Sequence, residues 1–74
     1  MTSIQAKERI ERHLLSKGYS RKEGQKHSYM LHPDGVHRWK LTSRTVQKQK
    51  RFEWGWHSVS RAASLIEVAR RLGE

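Results

Sequence analysis

The fold turns on the stretch Lys26-His27-Ser28-Tyr29-Met30-Leu31-His32-Pro33-Asp34-Gly35-Val36-His37-Arg38-Trp39-Lys40-Leu41-Thr42. Pro33 presets φ, Asp34 tolerates a turn position and Gly35 accepts a positive φ, so these three residues carry hairpin chemistry, often with a bulge. The flanking runs are therefore expected to pair as antiparallel strands over about 26–32 and 36–42. Side chains alternate along a strand. Alternation puts Tyr29 and Leu31 on one face of the first strand, and His37, Trp39 and Leu41 on one face of the second. Tyr29, Leu31, Trp39 and Leu41 are the expected core, while the face with Arg38 and Lys40 should be wet and positive.

Upstream, Thr2 followed three residues later by Gln5 is a capping-box signature. Ala6, Ile10 and Leu14 then recur every fourth residue as an apolar stripe. Gly18 suits the left-handed position that ends a helix, with Tyr19 packing back on the last turn. These signals predict a helix over 4–17. Residues 20–25 are polar, include Gly24 and read as a loop.

Downstream, Ser43 to Arg51 has Val46 as its only apolar residue, so no period can be counted. It is expected as a basic loop over 43–51, with a basic extension of the hairpin as the alternative. Phe52-Glu53-Trp54-Gly55-Trp56-His57-Ser58-Val59 alternates rings with other residues and predicts a third strand over about 52–58, weakened by Gly55. Ala62, Leu65, Ile66, Ala69 and Leu72 recur at helical spacing and predict a helix over 61–72, capped by Ser58 or Ser60 and stopped by Gly73. The expected architecture is α+β, a single domain over 1–74 in the order helix, three-stranded antiparallel sheet, helix. Both helices should lie on one face of the sheet, which buries both apolar stripes.

Sixteen Lys and Arg residues against seven Asp and Glu give a formal charge of +9. The excess is concentrated between Lys17 and Arg51, where ten cations face two acids, Glu23 and Asp34. Such a field attracts polyanions, of which phosphate backbones are the commonest. Lys48-Gln49-Lys50-Arg51-Phe52-Glu53-Trp54-Gly55-Trp56-His57 interleaves cations with rings, a pairing that recurs in readers of RNA and single strands. The expected function is a small basic nucleic-acid-binding protein, favouring RNA or single strands over sequence-specific duplex DNA. Lys26, Arg38, Lys40, Arg44, Lys48, Lys50 and Arg51 would hold phosphates, and Trp54 or Trp56 would stack a base. A protein-interaction adaptor whose basic face meets an acidic protein partner is a separate possibility.

With no cysteine, neither a disulfide framework nor a thiolate zinc site is available. The five histidines include no His-Glu-x-x-His, so no metal site is expected. No Walker loop, Gly-x-Gly-x-x-Gly or Gly-x-Ser-x-Gly occurs, and no cofactor is expected. No apolar run nears the roughly 20 residues of a membrane span, and residues 1–5 lack a leader's apolar stretch. A soluble, cytoplasmic protein with no membrane partner is expected.

Leu14-Leu15-Ser16-Lys17-Gly18-Tyr19, Gly24-Gln25-Lys26-His27-Ser28-Tyr29 and His32-Pro33-Asp34-Gly35 resemble the front half of the HicA toxin family. The resemblance implies a helix–three-strand–helix domain of the double-stranded-RNA-binding-domain class that cleaves mRNA and is silenced by an antitoxin. Gly24 and His27 match the family's Gly-Ser-x-His motif, with Gln25 in place of its serine. His27 would then be the catalytic acid or base of an endoribonuclease, a task suited to imidazole. The resemblance covers about residues 14–35, and the family's Val-Pro-x-His element is absent after the second strand.

Overall fold

In a computed structural model, residues 1–72 are described. The elements are α1 (Ser3–Ser16), β1 (Ser20–Glu23), β2 (Ser28–Leu31), β3 (His37–Leu41), β4 (Thr45–Phe52), β5 (Gly55–Ser58), β6 (Ala63–Ser64) and α2 (Leu65–Leu72). Strands β1 to β5 form an antiparallel meander in chain order, and β6 also pairs with β4. The fold is α+β with a larger sheet than the three strands expected. Among the described residues no helix is long and apolar enough to cross a membrane.

Helix α1 follows its sequence signals. Thr2 Oγ1 accepts from Gln5 N at 3.2 Å, and Gln5 Oε1 accepts from Thr2 N at 3.0 Å, closing the capping box. At the other end Gly18 takes φ 92°, and Tyr19 N reaches back to Leu14 O at 3.0 Å, tying off the last turn. Ala6, Ile10 and Leu14 of α1 join Met30, Leu41 and Val46 of the sheet and Leu65 and Ala69 of α2 in one core. Each fully buried Leu, Ile, Val or Met contributes about 1.5–3 kcal/mol of burial energy.

The expected loop over 20–25 contains β1. All four of its residues are exposed, so it has no apolar alternation to read. It is held by pairing with β2 and by Arg21, whose Nε contacts Glu11 Oε2 at 2.9 Å and whose Nη2 contacts Glu23 Oε1 at 2.7 Å. The expected basic loop over 43–51 is instead most of β4, which pairs with β3 on one edge and with β5 and β6 on the other. Only Val46 and Gln49 are buried along its eight residues, which is why its pattern was silent. The third strand expected over 52–58 is split. Phe52 ends β4, Glu53 and Trp54 form the turn, and Gly55 opens β5.

The helix expected over 61–72 begins only at Leu65. Ser60 does not cap it: Ser60 Oγ accepts from Lys48 N at 3.2 Å, and its carbonyl accepts from Gln47 Nε2 at 2.9 Å. Ala63 and Ser64 then pair with β4, and Leu65 N donates to Arg44 O at 3.1 Å. Residues 59–64 are thus tied to the sheet instead of coiling. The proposed stop at Gly73 lies outside the described residues.

The expected core is half right. The turn between β2 and β3 holds four residues, not the Pro33-Asp34-Gly35 triplet alone. His32 N donates to His37 O at 2.9 Å, and Val36 is in the loop, its N–H bound to Asp34 Oδ1 at 2.7 Å. Met30 therefore opposes Trp39 and Ser28 opposes Leu41, while Tyr29 opposes Lys40 and Leu31 opposes Arg38. A slip of one residue exchanges the faces of a strand. Met30, not Tyr29 or Leu31, enters the core beside Leu41, and Trp39 packs only partly against it.

On the helix face, burial fades along the strands. Leu41 and Val46 are buried, Trp39 is half-buried, and His37, Lys48, Lys50 and Phe52 are exposed. The β3–β5 end projects past the helices, in keeping with extents of 38 × 23 × 21 Å.

Candidate functional site

The face of the sheet opposite the helices is open. Pairing places Lys22 of β1, Tyr29 and Leu31 of β2, Arg38 and Lys40 of β3, Gln47, Gln49 and Arg51 of β4 and Trp56 of β5 on it. Among the described residues the register puts no carboxylate there. Glu23 pairs with Ser28 and so lies on the helix side.

Arg38 is the centre of this face. Its Cζ lies 4.0 Å from the Tyr29 ring centroid and 4.2 Å from that of Trp56, so one guanidinium joins rings from β2 and β5. Its Nε donates to Gln49 Oε1 at 2.7 Å, and Gln49 is itself buried. Partial burial lowers the Arg38 pKa, with Tyr29 opposing the shift, yet a guanidinium stays charged throughout the physiological range. Cation–π contacts of this kind are worth about 0.5–2 kcal/mol, more as water is excluded. The result is an arginine fixed in orientation, with Nη groups that make no hydrogen bond among the described residues. Such a fork suits a phosphate or carboxylate.

Gly24 helps position the Tyr29 ring. A Cβ at Gly24 would fall 2.9 Å from Tyr29 Cε2 and 3.0 Å from the His27 carbonyl oxygen, so any side chain there would displace one of them. Sequence reasoning assigned Tyr29 to the core and overlooked Lys22 and Gln49. Lys22 has no distinguishing signal except its place across from Tyr29, which only the β1–β2 pairing reveals.

The other expected ligands are dispersed. Lys48 and Lys50 point to the helix side, where Lys48 Nζ lies 5.0 Å from the Trp39 ring and Lys50 Nζ lies 5.7 Å from Phe52. Trp54 is 72% exposed at the tip of the β4–β5 hairpin and stacks on Phe52 at 5.5 Å and 7°. His57 meets both rings edge-on. Arg44 is exposed in the β3–β4 turn and Lys26 in the β1–β2 turn. Arg38, Lys40, Arg51 and Trp56 are thus the sequence candidates that come together.

Three of the acids are paired away from this face. Glu11 and Glu23 both pair with Arg21 and raise its pKa, the Glu23 hydrogen bond most of all. Asp34 is held well below the usual carboxylate range, first by the Val36 N–H and then by the His37 side chain. Its Oδ2 lies 2.8 Å from His37 Nδ1 and 3.2 Å from His32 Nδ1. His57, by contrast, packs against Phe52 and Trp54. Among the described residues, Lys22, Arg38, Lys40 and Arg51 form no ion pair with a carboxylate.

His27 sits in the β1–β2 turn, where its carbonyl accepts from Gly24 N at 2.8 Å. Its Nδ1 is buried with no partner. A cleft of about 200 Å³ beside it is lined by Lys7, Glu23, Lys26 and Ser28 among others. Comparison of the chain with protein-family models, with curated proteins and with solved structures found no match.

Proposed function

We propose that this protein binds single-stranded nucleic acid, RNA in preference, in the cytoplasm, across the open face of its sheet. The observation that carries the reading is the combination on one uncovered surface of four cations, two rings and, among the described residues, no carboxylate. Lys22, Lys40 and Arg51 supply charge at the edges and centre, and Arg38 presents a fixed fork. Tyr29 and Trp56 offer ring surface to bases that are already unstacked, which favours a single strand over a duplex. Five strands spaced at about 4.8 Å span roughly 19 Å, enough for a short run of nucleotides. Phosphate contacts of this kind position a strand without reading its sequence.

Fluorescence anisotropy with a labelled single-stranded RNA, its DNA counterpart and a duplex tests this. If four phosphates are neutralised, log K falls against log salt with a slope of about −3 for single strands. Lys22→Glu with Lys40→Glu should abolish most of the binding. A flat salt response, or a duplex bound as tightly as the single strand, would overturn the reading.

The orphaned Nδ1 of His27 supports a second reading, in which an RNA strand that reaches the cleft beside His27 is cleaved in the manner of the toxin family that residues 14–35 resemble. His27 would act as acid or base on the 2′-hydroxyl or the leaving oxygen. Growth arrest on expression, relieved by His27→Ala with RNA binding retained, is the expected result. Intact RNA after prolonged incubation with the wild-type protein would rule it out.

A further inference from the structure

On the opposite side from the nucleic-acid face, a groove of about 300 Å³ opens where the end of α2 overhangs β3 and β4. Its floor is apolar, formed by Trp39, Val46, Ala63, Val68 and Leu72. Its rim carries Lys48, Arg61 and Arg71, and among the described residues no acidic side chain lines it. None of these three cations forms an ion pair among the described residues. We infer that this groove docks an acidic segment of a partner protein, one that inserts an aliphatic side chain between Trp39 and Val68 and sets carboxylates against Lys48, Arg61 and Arg71.

The charge and shape of the groove select that occupant. An apolar floor of this volume takes one large aliphatic side chain or two small ones. Covering three like charges with a neutral partner would desolvate them without compensation, whereas carboxylates replace the lost water. A nucleobase fits less well, because four of the five floor residues are aliphatic and offer no ring to stack on. The wall at residues 59–64 is held by the Ser60 bonds to Gln47 and Lys48, so the groove exists before any partner arrives.

The probe is a fluorescein-labelled peptide with two adjacent leucines flanked by glutamates, compared with versions carrying serines for the leucines or lysines for the glutamates. The acidic leucine peptide should bind, and the other two should not. Val68→Asp should weaken it on the order of tenfold or more, the loss expected when one apolar side chain can no longer be buried. Because that variant disturbs α2, a second pair, Lys48→Glu with Arg71→Glu, changes only exposed side chains. It should lose the glutamate peptide and gain the lysine one. Binding should persist in saturating single-stranded RNA, because the RNA occupies the other face. This inference can therefore fail while the nucleic-acid reading stands. No binding, equal binding of the serine peptide, or displacement by RNA would overturn it.

Discussion

At the helix-covered end of the sheet, Met30, Leu41 and Val46 are sealed against Ile10, Leu14 and Leu65. At the projecting end Phe52 is 38% and Trp54 72% exposed, and on the opposite face of the sheet Tyr29 and Trp56 are half-buried around Arg38. Small aliphatic side chains build the interior, and no aromatic residue is buried in it. A domain of this size would bury more apolar area by placing its rings inside. Four of the six rings instead meet a cation, Tyr29 and Trp56 at Arg38, Trp39 at Lys48 and Phe52 at Lys50, a division between an aliphatic interior and an aromatic, cationic surface that suits the proposed binding role.

The sharpest way to break that comparison is to delete a side chain from each end. Leu41→Ala should cost roughly 2–5 kcal/mol in urea denaturation, because its cavity lies at the centre of a small core. Trp54→Ala, the larger deletion, should change stability by no more than about 0.5 kcal/mol. Comparable losses from the two would show that the projecting end is structural after all.

A smaller but more telling effect is expected on binding. Arg38→Ala removes one charge and releases Tyr29 and Trp56 from their shared partner, so RNA affinity should fall on the order of tenfold. Arg38→Lys should recover only part of this, since an ammonium cannot reproduce the fork. Gly24→Ala should weaken binding further below wild type than its small change in volume suggests, through displacement of the Tyr29 ring. Arg12→Glu on α1 should leave affinity nearly unchanged when measured by the same anisotropy titration.

The smallest effect concerns pH. The Asp34 carboxyl is depressed in the folded protein relative to its unfolded value near 3.9. Its contribution to stability is thus complete above that unfolded value and is lost as pH falls towards the folded one. Asp34→Asn retains an oxygen acceptor for the turn but removes this titration. Thermal melts should show the wild-type protein losing more stability than the variant between about pH 4 and pH 2. Parallel curves would show that the Asp34 interactions contribute nothing to the hairpin.

Much of the covered end was legible in the sequence. Thr2, Gln5 and Gly18 bound α1, and Leu65, Ala69 and Leu72 mark α2, because capping chemistry and helical periodicity are local. The hairpin was also legible, and with it the wet, positive face of Arg38 and Lys40. Its register was not. Ser28-Tyr29-Met30-Leu31 carries apolar residues at both parities, so the choice fell to a loop one residue longer than the turn triplet suggests. Strands β1 and β4 left no trace because exposed or half-exposed polar strands are specified by their neighbours. For the same reason the charge-rich 43–51 segment gave up its cations to both faces. Sequence proximity placed Lys48 and Lys50 with Arg51, and alternation separates them.

The central claim is that the open face of the sheet is the nucleic-acid surface, and amide and indole NMR shifts during titration with a short single-stranded RNA test it most directly. Perturbations should cluster at Lys22, Tyr29, Arg38, Lys40, Arg51 and the Trp56 indole, with α1 unaffected. Shifts confined to α1 and α2, or scattered over both faces without saturation, would contradict the account.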